Sequence, residues 1–238
     1  MAVTEGRSLR FAFLILCGLA VATWGSARAE EAPRPLPKPV LDASAAQKGD
    51  ETAVLAGGCF WGQQGVFEHL QGVRKVVAGY SGGEKATATY DQVSTETTGH
   101  AEAVEITFDP SELTYGQLLQ VFFSVAHDPT ELNRQGPDVG TSYRSEIFFA
   151  NPAQERIARA YVAQLEAAHA FDQPIVTRIE PLSGFYPAEA EHQDFLIHHP
   201  NSLYIVINDL PKIVNLKRIY PELFSEKAAA LSGTGAAL

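Results

Sequence analysis

A cysteine in the run GGCFWG, residues 57–62, is well suited to covalent chemistry. Cys59 follows two glycines, which lack a Cβ atom and so let the backbone approach a ligand closely. It precedes Phe60 and Trp61, whose rings can enclose an apolar group. A thiol used for attack reacts as its thiolate. The alternative is that Cys59 is a small buried hydrophobe, since free cysteines are often buried.

A carboxyl group in the run AEAVEITF, residues 101–108, is a second candidate. Side chains alternate between the two faces of a strand, so Glu102 shares a face with the apolar Val104 and Ile106. Burial on that face would raise the pKa of the carboxyl and keep its proton available near neutral pH. The alternative is that Glu102 lies at the frayed start of the strand and points into water.

Two tyrosines are candidate hydroxyl donors. Tyr90 lies in the loop TATYDQ, and Tyr143 lies on the same predicted strand face as Ile147. Either tyrosine alone is equally typical of an ordinary core or rim residue. The histidines, such as the pair His198-His199, do not have the spacing of a standard metal site, so we predict no metal ion.

Periodic patterns predict the elements that position these residues. Strands are predicted over 52–57, 73–80, 101–108, 143–150 and 175–180. Helices are predicted over 60–70, after the capping box Thr114-x-x-Gln117, and from Asn151-Pro152. The order β-α-β-β-α-β-α-β predicts an α+β fold, a two-layer sandwich with a mixed sheet and a ferredoxin-like, split βαβ core. Cys59 then lies at a helix N-terminus, where unpaired N–H groups and the helix dipole favour the thiolate.

The first residues of the chain have the features of an export signal. Arg7 and Arg10 precede the apolar run FAFLILCGLAVATW, and Ala27-Arg28-Ala29 matches a small-x-small cleavage pattern. A retained membrane anchor is the alternative, although the run is shorter than the about 20 residues of a membrane span. We predict a signal peptide over 1–29, a Pro-rich linker over 30–50, a globular catalytic domain over 51–224 and a flexible tail over 225–238.

Charge and cysteine content bear on partners and compartment. The net charge of −10 argues against nucleic acid as a partner and against stable membrane contact after cleavage. Removal of residues 1–29 takes away Cys17, so Cys59 would be the one cysteine of the mature chain. A lone cysteine cannot form an intrachain disulfide. The signal features predict an exported, periplasmic protein. Its one cysteine is then either an inert buried thiol or a reactive one.

The motifs, taken together and in order, resemble those of the A-type peptide methionine sulfoxide reductases. They cover about residues 53–215 and are GGCFWG, GYSGG, TGHAEAVEITFDP, HDPTELNRQGPDVGTSYRS and FYPAEAEHQ. The resemblance implies a thiol-dependent oxidoreductase without a cofactor, which reduces the S epimer of methionine sulfoxide, free or in proteins, and so repairs oxidised proteins.

The resemblance also implies a role for each site residue. Cys59 attacks the sulfoxide sulfur, and Glu102 protonates the oxygen. Tyr90 and Tyr143 assist Glu102. The substrate side is implied to consist of Phe60 and Trp61, which hold the methyl group, and Asp138, which shapes the polar rim.

The sequence departs from many members of this family after the HQ motif. They carry resolving cysteines there, whereas this chain reads HHPNSLYIV, with Tyr204 about where a cysteine would stand. Phe195 occupies a position where tyrosine is frequent, so no donor is assigned there. A sulfenic acid on Cys59 would therefore need an external thiol, from a thioredoxin-like or glutaredoxin-like partner or from glutathione.

Two other function classes remain open on the residues alone. One is a Cys-His hydrolase or transferase that pairs Cys59 with His100 or His192. The other is a noncatalytic module whose Phe-Trp pocket binds oxidised methionine. Only a reductase would release methionine from the sulfoxide in the presence of a thiol.

Overall fold

The structure is a computed structural model that describes residues 1–2, 32–43 and 49–231. The predicted signal peptide with its cleavage site, Cys17 and the end of the predicted tail lie outside these residues. Within the described residues, the strands are β1 (Glu51–Gly57), β2 (Val73–Ser81), β3 (Ala101–Phe108), β4 (Arg134–Gln135), β5 (Asp138–Val139), β6 (Ser145–Phe149), β7 (Arg178–Pro181) and β8 (Phe185–Pro187). The α-helices there are α1 (Phe60–Glu68), α2 (Tyr90–Val93), α3 (Tyr115–Val121), α4 (Pro152–Ala167), α5 (Phe195–His198) and α6 (Leu210–Ile219). Two π-helical turns of the described residues, Phe122–Ala126 after α3 and Ile205–Asp209 before α6, adjoin them. Across these ranges, no helix is both long enough and apolar enough to cross a bilayer.

A six-stranded sheet, in the order β7-β6-β1-β3-β2-β8, organises the described part of the chain. Its neighbours pair antiparallel, except that β6 and β7 pair parallel. Most helices pack on the face that carries the main core. The mixed sheet and the helices confirm the predicted α+β class.

The alternation of side chains along β3 decides which residues face the helices. Val104 and Ile106 are fully buried in the main core, together with Phe67 of α1 and Leu118 of α3. The intervening Ala103 lies on the opposite face, in a smaller apolar cluster. Each large side chain buried in this way contributes about 1.5–3 kcal/mol, so the register of β3 is strongly fixed.

Both predicted helix starts are confirmed at atomic detail. The Thr114 side chain accepts a hydrogen bond from the Gln117 N–H, and the Gln117 side chain accepts one from the Thr114 N–H. At α4, the Asn151 side chain accepts from the N–H groups of the first turn, and Pro152 is the first helical residue. Such caps act within a few residues, which is why the sequence predicts them well.

Three predicted boundaries are wrong by a few residues. The strand predicted over 143–150 begins at Ser145, because Thr141–Tyr143 form a 3₁₀ turn. The Ser142 N–H of that turn donates to the Glu96 carboxylate. The strand predicted over 175–180 begins at Arg178, since the Val176 N–H donates to the carbonyl of Pro129 instead of to a strand. Helix α1 ends at Glu68, and Leu70 instead forms an isolated bridge with Phe224.

The segment predicted as a Pro-rich linker lies on the helical side of the domain. Residues 32–43 have no regular secondary structure, yet the Leu36 N–H donates to the Tyr220 hydroxyl at 3.0 Å. The Leu36 carbonyl accepts from the Gln120 amide at 2.6 Å, and the Pro37 carbonyl accepts from the Tyr161 hydroxyl at 2.9 Å. The segment therefore supplies acceptors and a donor to buried polar groups of the helices.

The first part of the predicted tail also packs against the domain. Ala228 is buried, the Ala229 N–H donates to the Glu68 carbonyl at 2.8 Å, and the Leu231 N–H donates to the Asp194 carboxylate at 3.2 Å. These contacts place residues 225–231 over the C-terminal end of α1.

Candidate active site

One pocket of about 220 Å³ is lined by all the residues predicted to do chemistry. That volume is below the range of about 300–1,000 Å³ that is typical of pockets for larger ligands, so it suits a single side chain. Its lining residues are Cys59, Phe60, Trp61, Tyr90, Glu102, Asp138, Tyr143 and Tyr204.

Cys59 is the N-cap residue of α1, directly after the turn that ends β1. The Trp61 N–H at this helix start favours the thiolate, as predicted. However, burial of the thiol raises its pKa well above the ordinary value, and the nearby carboxylates of Glu102 and Asp209 raise it further. The expectation of a stabilised thiolate is therefore wrong, because Cys59 is held as the thiol at neutral pH.

The two glycines before Cys59 make room for protein atoms. Gly58 has φ +92°, a conformation that favours glycine, and a Cβ atom there would overlap the Gln135 side chain. A Cβ atom on Gly57 would lie 2.9 Å from the His127 ring. Both glycines are thus required by side chains packed under the turn, whereas the sequence alone suggested close approach of a ligand.

Glu102 points into the pocket from β3, as the alternation predicts. It is 3% exposed, and its Oε2 accepts a hydrogen bond from the Phe60 N–H at 3.0 Å. Burial raises the pKa of the carboxyl to about 8. The Phe60 N–H acts in the opposite direction and lowers this pKa, whereas the neighbouring Asp138 and Glu96 carboxylates raise it further. Glu102 is therefore a neutral acid at pH 7, and because Oε2 accepts from Phe60, its proton resides on Oε1.

The aromatic wall of the pocket is larger than GGCFWG predicts. Phe60 is buried against Tyr80, with 5.8 Å between ring centroids. Trp61 stacks on Phe195 of α5 at 3.7 Å and 8°, and meets the edge of Tyr204 at 5.8 Å. The phenylalanine at position 195 thus supplies a flat apolar face instead of a hydroxyl group.

Three hydroxyl groups lie around the thiol. Tyr90 begins α2 and Tyr143 ends its 3₁₀ turn; burial raises the pKa of both phenols, and the Glu102 charge raises them further. Both therefore stay protonated and can donate hydrogen bonds. Tyr143 does not lie on a strand as predicted, yet it lines the pocket. The Tyr204 hydroxyl donates to Asp138, and sequence reasoning assigned no role to Tyr204.

Sequence reasoning also missed two residues that bond to α2 and β2 beside the pocket. Glu189 accepts hydrogen bonds from the Tyr90 N–H and from the Tyr80 hydroxyl, both at 2.9 Å. Gln193 pairs with the backbone of Ala78 through both its amide oxygen and its amide nitrogen. Both residues belong to the motif FYPAEAEHQ, so the signal was present, but their partners are about 100 residues away in the sequence.

The histidines do not complete a Cys-His pair at this pocket. The Nδ1 of His100 accepts from the Gly83 N–H, and its Nε2 donates to the Glu84 carbonyl. His192 packs its ring on Tyr90, with centroids 4.5 Å apart, and does not line the pocket. His127, on the other side of Cys59, bonds to Phe122 and Ser145, and burial lowers its pKa to about 4. Among the described residues, no histidine lines this pocket with Cys59, so the hydrolase alternative has no histidine base there.

Comparison with known proteins decides the family. The family model of peptide methionine sulfoxide reductase matches residues 51–222. The chain belongs to this family. As a member, it is an oxidoreductase that reduces methionine sulfoxide in a thiol-dependent reaction, and the resemblance seen in its motifs is confirmed.

Two curated relatives match most of this chain and nearly all of their own length. The chain is 61% identical over 182 residues to peptide methionine sulfoxide reductase MsrA 2 of Mesorhizobium japonicum, which covers 76% of this chain and 93% of the relative. It is 47% identical over 218 residues to the MsrA 2 of Synechocystis sp., covering 90% of this chain and all of the relative.

Solved structures of the family are also similar. The methionine sulfoxide reductase A of Corynebacterium diphtheriae superposes with a TM-score of 0.55 at 37% identity, over 71% of this chain and 84% of that one. Reduced Mxr1 of Saccharomyces cerevisiae gives 0.58 at 32% identity, over 64% and 87% of the two chains.

Proposed function

We propose that Cys59 is the nucleophile and Glu102 the general acid in the reduction of methionine (S)-sulfoxide, free or in proteins. The observation that carries this proposal is the presence, in one pocket, of the thiol and a buried carboxyl group whose pKa is about 8. A sulfoxide oxygen becomes a leaving group only when it is protonated, so reduction at neutral pH needs an acid that is still neutral there.

The first step transfers the oxygen from substrate to enzyme. Sγ of Cys59 attacks the sulfoxide sulfur while Glu102 gives its proton to the oxygen, and the thiol proton returns to the Glu102 carboxylate. The hydroxyl group passes to Sγ, so methionine leaves with its sulfur reduced and Cys59 becomes a sulfenic acid. Tyr90 and Tyr143 donate hydrogen bonds to the same oxygen.

The other pocket residues select the substrate. Phe60 and Trp61 enclose the methyl group on its apolar side, and Trp61 is held flat by its stacking on Phe195. Asp138, bonded to the Tyr204 hydroxyl, forms the polar rim through which a protein-bound side chain enters.

Regeneration of the enzyme is assigned to an external thiol. Cys59 is the free cysteine of the described residues, and no cysteine follows it through Leu238. A thiol from a thioredoxin-like protein, a glutaredoxin-like protein or glutathione forms a mixed disulfide with Cys59, which a second thiol resolves.

The test is incubation of the purified protein with methionine (S)-sulfoxide and dithiothreitol. The expected result is release of methionine by the parent protein and none by Cys59→Ser, because a hydroxyl group is far less nucleophilic than a thiol at neutral pH. Matching thermal unfolding of the two proteins shows that the variant is folded. A parent protein that binds the sulfoxide without releasing methionine would instead be the noncatalytic module, and turnover by Cys59→Ser would exclude the mechanism.

The proposed place of action is outside the cytoplasm, in a periplasm, after removal of a signal peptide over 1–29. The support is in the sequence alone: two arginines, an apolar run and the motif Ala27-Arg28-Ala29. Edman sequencing of the exported protein should begin at Glu30. Recovery of the full-length chain from the cytosol would contradict this assignment.

The finer fold assignment is a split βαβ core of the ferredoxin-like type. It is supported by the order β6-β1-β3-β2 in the middle of the sheet, in which every neighbour pairs antiparallel. It is also supported by the connections, since α1 joins β1 to β2 and α3 lies between β3 and β6.

A further inference from the structure

Cys59 is reached by a second cavity besides the substrate pocket. This cavity, also of about 220 Å³, shares Cys59, Asp138 and Tyr204 with the substrate pocket. Neither Glu102 nor the Phe60–Trp61 wall lines it. Its other side is built by Gln135, Ile207, Asn208, Lys212 and Asn215, together with Pro33 of the N-terminal segment. The bonded pair Tyr204–Asp138 therefore stands between two cavities that both reach Cys59.

The geometry of displacement at sulfur requires such a second opening. When a thiolate attacks a sulfenic acid, the new S–S bond forms in line with the S–O bond that breaks, on the side opposite to the oxygen. The oxygen of the sulfenic acid is delivered on the Glu102 side of Sγ, since Glu102 protonates it there. An attacking thiol must therefore arrive from a side that Glu102 does not line, and the second cavity meets this condition.

We propose that the second cavity binds the reducing thiol, and that its occupant is a small peptide thiol of the glutathione class. The inference rests on the proposed sulfenic acid at Cys59. Asn208 Oδ1 and Asn215 Nδ2 can bond the amide groups of such a thiol, and Lys212, which donates one hydrogen bond to Asp209, has further N–H groups for a carboxylate. The cavity, like the substrate pocket, has room for one side chain, so the cysteinyl group of the thiol enters it and the rest of the peptide lies at its mouth.

The chemistry in this cavity balances without another reactant. The incoming thiolate, having given its proton to solvent, forms the S–S bond while the Sγ–O bond breaks. The hydroxyl group takes the Glu102 proton and leaves as water, and Glu102 recovers a proton from solvent. The incoming sulfur is oxidised and Sγ is reduced, which gives a mixed disulfide and one water molecule.

The test blocks the second cavity and measures the two steps separately. Asn215→Trp on α6 fills the cavity, and Val214→Trp is its control, because Val214 is 65% exposed and does not line the cavity. Ile207→Trp and Val206→Trp form a second matched pair on the neighbouring turn. Methionine release in a single turnover without reductant reports the first step. Loss of the sulfenic acid after addition of glutathione, followed by mass spectrometry, reports the second.

Asn215→Trp and Ile207→Trp should slow the glutathione step by at least about tenfold, equivalent to about 1.4 kcal/mol in the barrier. Their single-turnover release of methionine should stay near the parent rate, which also shows that they are folded. Equal glutathione rates in each variant and its control, or equal slowing of both steps, would overturn the proposal. Failure of the parent protein to release methionine at all would overturn the proposed function instead.

Discussion

At the scale of single residues, the pocket holds two groups that stay protonated at neutral pH, the Cys59 thiol and the Glu102 carboxyl. Burial and nearby carboxylates hold both Cys59 and Glu102 in their neutral forms. The neutral carboxyl is suited to protonate an oxygen, and the thiol can return a proton to the carboxylate that remains. The pocket thus contains the protons of the reaction before the substrate arrives.

The substitution Glu102→Gln should slow methionine release in a single turnover by about 10²–10⁴-fold, the usual contribution of a general acid. Binding of the sulfoxide should change less, because the amide still donates a hydrogen bond to the oxygen. The isosteric amide keeps the shape of the pocket, so the comparison isolates the proton. A rate close to that of the parent would show that Glu102 is not the acid.

The rate of methionine release should depend on pH in the direction set by the raised pKa of Glu102. Since burial raises the pKa of this acid from the ordinary 4.5 to about 8, its proton is present through neutral pH and is lost as the pH rises past about 8. The single-turnover rate of the parent should therefore fall above pH 8. The fall should be absent from the residual rate of Glu102→Gln, and a parent rate that rises through this range would contradict the assignment.

Sequence reasoning at this scale succeeded where the cause was local. The position of Glu102 follows from alternation along one strand, and the cap position of Cys59 follows from the strand–helix order. The raised thiol pKa did not follow, because its largest cause is burial under segments distant in the sequence. Asp138 and Asp209, two of the carboxylates that raise it further, likewise come from segments about 80 and 150 residues further along the chain. Tyr204 was missed for the same reason.

At the scale of elements, α1 is held in place by what packs against its glycines. A Cβ atom built on Gly62 would overlap the carboxylate of Asp209, which is fully buried and paired with Lys212 at 3.2 Å. Gly65, one turn later, would instead place its Cβ atom 2.8 Å from the end of the Leu196 side chain. The first contact involves a buried charged group, and the second a methyl group.

Gly62→Ala should therefore destabilise the protein although alanine is the better helix former. Its helix propensity would add about 1 kcal/mol of stability, whereas overpacking typically costs about 1–3 kcal/mol and displacing a buried ion pair adds to that. Gly65→Ala is the matched control and should lower the melting temperature less, because a leucine methyl can shift. Equal melting temperatures for the two variants would contradict this reading of Asp209.

Predictions of helices and strands also succeeded where the cause is local in the sequence and failed where it is distant. The caps at Thr114 and Asn151 were predictable because each is completed within three residues. The ends of β6 and β7 were not, since they are set by Glu96 and Pro129, which bond to Ser142 and Val176 across the fold. A periodic pattern does not contain such partners.

At the scale of the whole molecule, residues 32–43 act as part of the folded unit. Without them, the Tyr161 hydroxyl and the Gln120 amide would lose these carbonyl partners, and the Leu36 N–H would no longer bond to the Tyr220 hydroxyl. The composition of the segment correctly predicted that it lacks regular secondary structure. It did not predict the docking, because the partners lie on three separate helices or their ends.

A chain that begins at Glu51, where the family match starts, should be less stable than one that begins at Glu30. Each buried polar group left unpaired costs about 1–3 kcal/mol, so the melting temperature should fall by several degrees. A milder variant, Asp42→Ala, removes the bonds to the Thr114 hydroxyl and to the N–H groups of Gly116 and Ala43 and should show a smaller fall. Identical unfolding of the two chain lengths would show that the docking contributes no stability.

The two openings onto Cys59 have a consequence for product inhibition. If methionine and the thiol are held in different cavities, methionine competes with the sulfoxide but does not compete with the thiol. A surplus of methionine then delays the next oxidation of Cys59 without delaying its recovery. When methionine is abundant, the enzyme would therefore accumulate as the reduced thiol. It would not accumulate as the sulfenic acid, the form that can be over-oxidised irreversibly.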